Sequence, residues 1–214
     1  MPEMMVSLLA FTAAASLLTL TPGVDTALVL RTAATDGPRA GAAAGLGICL
    51  GLLGWGLAAA VGLTALLDAS PVAFTALKWA GAAYLLFLGL RLLARPRAAV
   101  PLAPDAIPTD TRGAGLAPAF RRGLLTNALN PKVGVFYMTF LPQFIPQGTA
   151  VPGFSLLLAS LHVLLSLGWF ALLIALTVPL GRFLARPAVV RGLDRATGCV
   201  FVAFGLRLAL APRG

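Results

Sequence analysis

Residues 17–30 read LLTLTPGVDTALVL, an apolar run interrupted by Thr21, Pro22, Gly23 and Asp25. Proline removes a backbone donor and clashes with the preceding turn, and an acid at a bilayer centre costs about 2.5 to 3.5 kcal/mol on insertion scales. Polar backbone freed by such a break cannot face lipid, so it lines a cavity or packs against protein. That reading requires the rest of the chain to belong in a membrane.

Composition says that it does. The chain has 214 residues, 59% of them apolar and 11% charged, against the roughly 25% charged of soluble globular domains. Stretches 4–24, 40–67 and 133–181 carry no charge, and about 20 apolar residues suffice for a helix to span a bilayer. Glu3 stands where a secretory signal would be basic, so the first apolar segment is expected to stay in the mature protein. The net charge of +9 is spread over loops rather than gathered on one face, which argues against a nucleic-acid partner. Cys49 and Cys199 each lie in apolar sequence without metal spacing and read as small core residues. With His162 the single histidine, no metal site and no cofactor is expected.

Six hydrophobic segments emerge, at about 4–31, 40–67, 71–93, 119–146, 150–181 and 187–210. Residues 94–118, rich in proline and charge, read as a flexible cytoplasmic linker between two halves, 1–93 and 119–214. Arginines crowd the first, third and fifth connections, and the fourth has no basic residue. By the positive-inside rule those three connections are cytoplasmic and both termini periplasmic.

The halves resemble each other. Shifted by 116, the 24 residues from Pro71 match those from Pro187 at seven positions, including an unbroken GLRL. A shift of 109 sets Phe11 on Phe120 and Leu20-Thr21-Pro22 on Leu129-Asn130-Pro131. Three segments per half is an odd number, so the second half enters the membrane upside down, the inverted repeat of many secondary transporters. The expected fold is all-α: six transmembrane helices in two inverted three-helix units.

Thr21-Pro22 and Asn130-Pro131 both read as helix starts, with a side-chain cap and proline at the first helical position. A half-helix N-terminus carries unpaired N–H groups and partial positive charge, which suits a carboxylate. Thr21, Pro22, Gly23, Asp25, Asn127, Asn130, Pro131 and Lys132 are therefore the candidate substrate-binding or coupling residues. Asp25 is expected to engage an ammonium group or a proton, the helix starts a carboxylate. A plainer reading, in which Asp25 and Lys132 neutralise one another, is compatible with this one.

Other features carry less. GAAAG at 41–45 and GICLG at 47–51 read as close helix packing. His162 with Ser160 and Ser166 reads as a proton relay or a buried, hydrogen-bonded histidine. Trp55, Trp79 and Trp169 fit anchoring or packing better than a substrate path, and Thr126, Tyr137 and Gln143 are secondary polar positions near the second break.

TPGVDT followed by Arg31, the glycine-rich second segment, GAAYLLFLGLRLL and FRRGLLTNALNPKVGVFYMTFLPQFI together resemble the LysE/RhtB-type amino-acid exporter superfamily over nearly the whole chain. The resemblance implies a bacterial inner-membrane protein that exports small amino acids or derivatives, by exchange for protons. Val24 departs from it, since many members carry a second proline there; at Asp25 the family commonly has Asn or Asp. A membrane channel or a structural membrane subunit, and more remotely an intramembrane enzyme, remain alternatives. Which amino acid is carried, and whether the protein is a homo-oligomer, stay open.

Overall fold

The computed structural model describes residues 2–69, 71–96, 115–184 and 186–210. Every regular element among them is helical: α1 (Pro2–Leu20), α2 (Val24–Asp36), α3 (Pro38–Ala69), α4 (Pro71–Ala94), α5 (Leu116–Ala128), α6 (Pro131–Val135), α7 (Val151–Ala175), α8 (Thr177–Leu184) and α9 (Pro187–Leu210). Proline opens α3, α4, α6 and α9, where its missing N–H costs nothing and its fixed φ favours the helix. Between α2 and α3 the chain turns on Gly37 at φ 91°, a conformation that a Cβ would oppose.

The first and fourth segments are each broken, at Thr21–Gly23 and at Leu129–Asn130. Beyond the second break α6 widens into a π turn at Phe136–Phe140 and tightens into a 3₁₀ turn at Leu141–Phe144. Pro142 removes a donor from that ladder, which accounts for the departure from α geometry. The fifth segment, expected to be continuous, breaks at Leu176. Pro179 has no N–H for the Ala175 carbonyl, and the Thr177 hydroxyl donates back to the carbonyls of Leu173 and Ile174. The expected linker lies largely outside the described residues.

Among the described residues three helices are long and apolar enough to cross a membrane, over Glu3–Leu20, Pro38–Gly62 and Val151–Ala175, and Trp79–Ala94 is a shorter apolar helix. Large apolar side chains such as Met5, Val6, Leu9, Val61, Phe87 and Leu164 point outward. Lipid tails tolerate that surface, and helix association then rests on close packing rather than on escape from water.

Glycine supplies that packing. α3 lies along α5, α7 and α2, and α4 along α9. A Cβ on Gly47 would collide with the Phe120 carbonyl, and one on Gly123 with the Ala44 carbonyl, so the backbones of α3 and α5 touch at two points. In the antiparallel α4–α9 pair, Gly89 abuts Gly198 and Val202 while Gly205 abuts Ala82 and Leu86. The sequence reading of small residues as packing surfaces holds for Gly45, Gly47 and Gly51.

Aromatic rings fill the space between α1, the second broken segment and α9. Phe11, Phe136, Phe140 and Phe144 are fully buried, with Phe11 edge-on to Phe144 at 5.4 Å and Phe140 at 4.3 Å from Phe204. Cys49 belongs to a second apolar cluster with Leu28, Val29 and Phe170. Cys199 is exposed rather than in the core, because it lies on the outer face of α9.

Candidate functional site

The two breaks meet. Asp25, in the first turn of α2, accepts hydrogen bonds at Oδ2 from Asn127 Nδ2 at 3.0 Å and Asn130 Nδ2 at 3.2 Å. Asn127 lies in the last turn of α5, just before the second break, and Asn130 within it, so 102 and 105 residues of chain separate the partners. Gly51 makes this possible, since a Cβ there would run into the Asn127 side chain. Trp55 Nε1 donates to the Asn127 carbonyl at 3.2 Å and holds the residue from the other side.

The second break forms as its residues require. Asn130 caps α6, its Oδ1 accepting from the Lys132 N–H at 3.1 Å, and Pro131 is the first helical residue. The first break does not. α2 begins at Val24, with Gly23 extended at its cap position and no side-chain cap. Thr21 cannot serve because its hydroxyl is engaged elsewhere, donating to the Leu17 carbonyl at 2.6 Å and lying 2.6 Å from Thr197 Oγ1.

Lys132 also departs from the simplest expectation. Its Nζ donates to the carbonyls of Leu18 at 2.8 Å and Thr21 at 3.0 Å, the carbonyl end of α1, where a cation is favoured by the helix dipole. The direct partners of Asp25 are two neutral amides instead. Asp25 Oδ1 is buried and accepts no hydrogen bond among the described residues, as does Asn127 Oδ1.

These groups surround a cavity of about 40 Å³, lined by Thr21, Gly23, Asp25, Asn130 and Lys132 on its polar side and by Ile48, Leu52, Val133 and Phe170 on its apolar side. It has room for a few water molecules at roughly 10–15 Å³ each, and not for an amino acid. His162 and Ser166 complete the lining. His162 is buried and lies 3.2 Å from the Tyr137 hydroxyl through Nδ1. Ser160 is turned away, donating to the Leu156 carbonyl, and Gln143 donates to the Thr139 carbonyl. Pro22 is buried beside the site, and Pro131 lines a second cavity with Lys132 and Thr21.

Two residues escaped the sequence reading. Thr197 of α9 meets Thr21, and Asp194, one turn earlier on α9, is fully buried. Asp194 carried the same signal as Asp25, an acid inside an apolar segment. Thr197 carried none, since threonine is common in membrane helices.

Residues 16–211 match the family model of the LysE type translocator. The chain is 32% identical over 209 residues to the homoserine/homoserine lactone efflux protein of Salmonella typhi, covering 94% of this chain and 95% of that one. It is 30% identical over 192 residues to the leucine efflux protein of Klebsiella pneumoniae subsp. pneumoniae, covering 89% and 88%. It is 31% identical over 212 residues to the membrane protein YrhP of Bacillus subtilis (strain 168), covering 96% and 99%. No solved structure matches. The chain is thus a multi-pass membrane protein that belongs to the LysE type translocators, a transporter and not an enzyme.

Proposed function

We propose that this translocator exports small amino acids or their derivatives across the bacterial inner membrane in exchange for protons. The observation that carries the reading is Asp25, a half-buried carboxylate with one oxygen held by two amides and the other, Oδ1, buried and unbonded beside a cavity. Homoserine, homoserine lactone and leucine, the compounds in the relatives' names, share an α-ammonium group next to a carbonyl carbon. A single carboxylate can neutralise that ammonium or hold a proton, not both. Competition for one charge is a direct route to exchange.

On this reading the six segments are six spans, with both termini periplasmic, and the two halves form inverted units whose broken segments share one cavity. The antiparallel α4–α9 pair and the α3–α7 contact are the self-pairings such a pseudo-two-fold axis would produce. Thr21, Gly23, Asn130 and Lys132 complete the substrate site around Asp25. Because the cavity is too small for an amino acid as it stands, binding must widen it, as alternating access requires.

The test is counterflow in proteoliposomes with labelled homoserine and leucine, with and without an imposed pH gradient. Saturable, gradient-driven exchange supports the proposal. Flux that rises without saturation identifies a channel and sinks it.

A further inference from the structure

A second, larger cavity of about 380 Å³ lies between α4, α9 and the two breaks, lined by Tyr84, Arg91, Arg95, Thr197 and Phe201 among others. It shares only Thr21 and Lys132 with the 40 Å³ cavity around Asp25. The wall between the two is therefore built from polar contacts at those residues. Lys132 Nζ clasps the carbonyls of Leu18 and Thr21, and Thr21 Oγ1 meets Thr197 Oγ1 at 2.6 Å.

The larger cavity has the size of a small-molecule site, within roughly 300–1,000 Å³. Its arginines stand near the end of α4, level with Thr197, since Gly198 of the antiparallel α9 packs on Gly89, Leu92 and Leu93. Both arginines are exposed. Positive charge in a concave site with apolar walls raises the local concentration of anions, and guanidinium groups match a carboxylate with two parallel donors.

We propose that the Arg91/Arg95 cavity is the access vestibule of the translocator, recruiting the carboxylate of an α-amino acid, and that the Lys132 clasp with the Thr21–Thr197 pair is the gate between it and Asp25. This deepens the exporter reading and rests on it. Passage follows a chain of charges: Arg91 and Arg95 concentrate the anion, and Lys132 exchanges two carbonyl partners for the incoming carboxylate. That exchange opens the wall and brings the ammonium to Asp25.

The experiment uses the full chain with Cys49→Ser and Cys199→Ser, carrying a reporter at Leu88→Cys in the vestibule or Ser166→Cys behind the gate. Thiol modification is measured in inside-out membrane vesicles at low salt, with an anionic and a cationic methanethiosulfonate of similar size. At Leu88→Cys the anionic reagent should react about tenfold faster than the cationic one, and Arg91→Gln with Arg95→Gln should erase that preference. At Ser166→Cys, Thr197→Val should speed modification about fivefold by removing one hydrogen bond from the wall, and Thr197→Ser should restore the slow rate.

A reagent preference that survives loss of both arginines overturns the vestibule. An unchanged Ser166→Cys rate in a monodisperse Thr197→Val protein overturns the gate. Neither rate depends on transport, so failure of homoserine and leucine counterflow would sink the exporter reading without deciding these outcomes. Where counterflow is seen, the arginine pair should raise the KM for homoserine and leave that for homoserine lactone, which lacks a free carboxylate, unchanged. An equal rise for both overturns carboxylate recruitment.

Discussion

Asn130 joins Asp25 while capping the helix that follows it: its Nδ2 donates to Asp25 Oδ2 at 3.2 Å and its Oδ1 accepts from the Lys132 N–H at 3.1 Å. One amide therefore ties the start of the second half-helix to the carboxylate of the first. Asn130→Ala removes both bonds and should lower stability by about 2–5 kcal/mol, the sum of a lost cap and a lost bond to a charged group. Asn130→Ser keeps a cap without reaching Asp25, and should recover the cap's share while leaving transport impaired. Thermal unfolding in detergent beside counterflow rates separates the two contributions.

Asp25→Asn keeps the shape of the side chain and removes its charge. Uphill export driven by a pH gradient should be lost while the protein still inserts and accumulates. Undiminished export with the usual pH dependence would exclude Asp25 as the coupling group.

Lys132→Met loses two charge-assisted bonds to carbonyls, each worth about 1.5–3 kcal/mol. Because those bonds end on α1, the double variant with Asp25→Asn should keep most of the stability loss seen in Lys132→Met. Recovery of stability in the double variant would instead show a neutralising ion pair.

Gly47→Ala and Gly123→Ala each press a methyl group into a backbone carbonyl of the neighbouring helix. Overpacking of this kind costs about 1–3 kcal/mol, and both variants should unfold at lower temperature. Gly54, where an added methyl group would meet nothing within 4 Å, is the control. Gly54→Ala should be neutral or stabilising by about 0.5–1 kcal/mol through helix propensity.

For orientation, a cysteine near residue 105 should resist an impermeant thiol reagent added outside intact cells, whereas Thr149→Cys should react. The reverse pattern would invert the arrangement derived from the arginines.

The breaks were legible because proline and asparagine act locally: their chemistry is written in three or four consecutive residues. Asn130 capped its helix as expected. Thr21 did not, because a residue 176 positions away competes for its hydroxyl, and no local rule reports such a partner. The meeting of Asp25 with Asn127 and Asn130 was foreshadowed by the shift of 109 that sets Leu20-Thr21-Pro22 on Leu129-Asn130-Pro131. The hydrogen-bond partners of the Lys132 ammonium were hidden, since charge alone pointed to Asp25 and no local rule reports that the carbonyl end of α1 lies within reach. The split at Leu176 was missed because hydropathy stays high across Pro179, and hydropathy does not record hydrogen bonds.

The paired glycine contacts have a mechanical consequence. Gly47 and Gly123 fasten α3 to α5 at two points, and Gly89 and Gly205 do the same for α4 and α9. Two rods touching at two points neither roll nor pivot without driving backbone into backbone. Any movement of either pair would then be that of a stiff beam, with bending left to the short uncoiled stretches at Thr21–Gly23 and Leu129–Asn130. Thr197 rides on one beam and Asn127 on the other. A rocking of beam against beam would then pull at the hydroxyl contact on one side of the hinge and at the carboxylate on the other, so that loosening one end of the route is geometrically tied to the other.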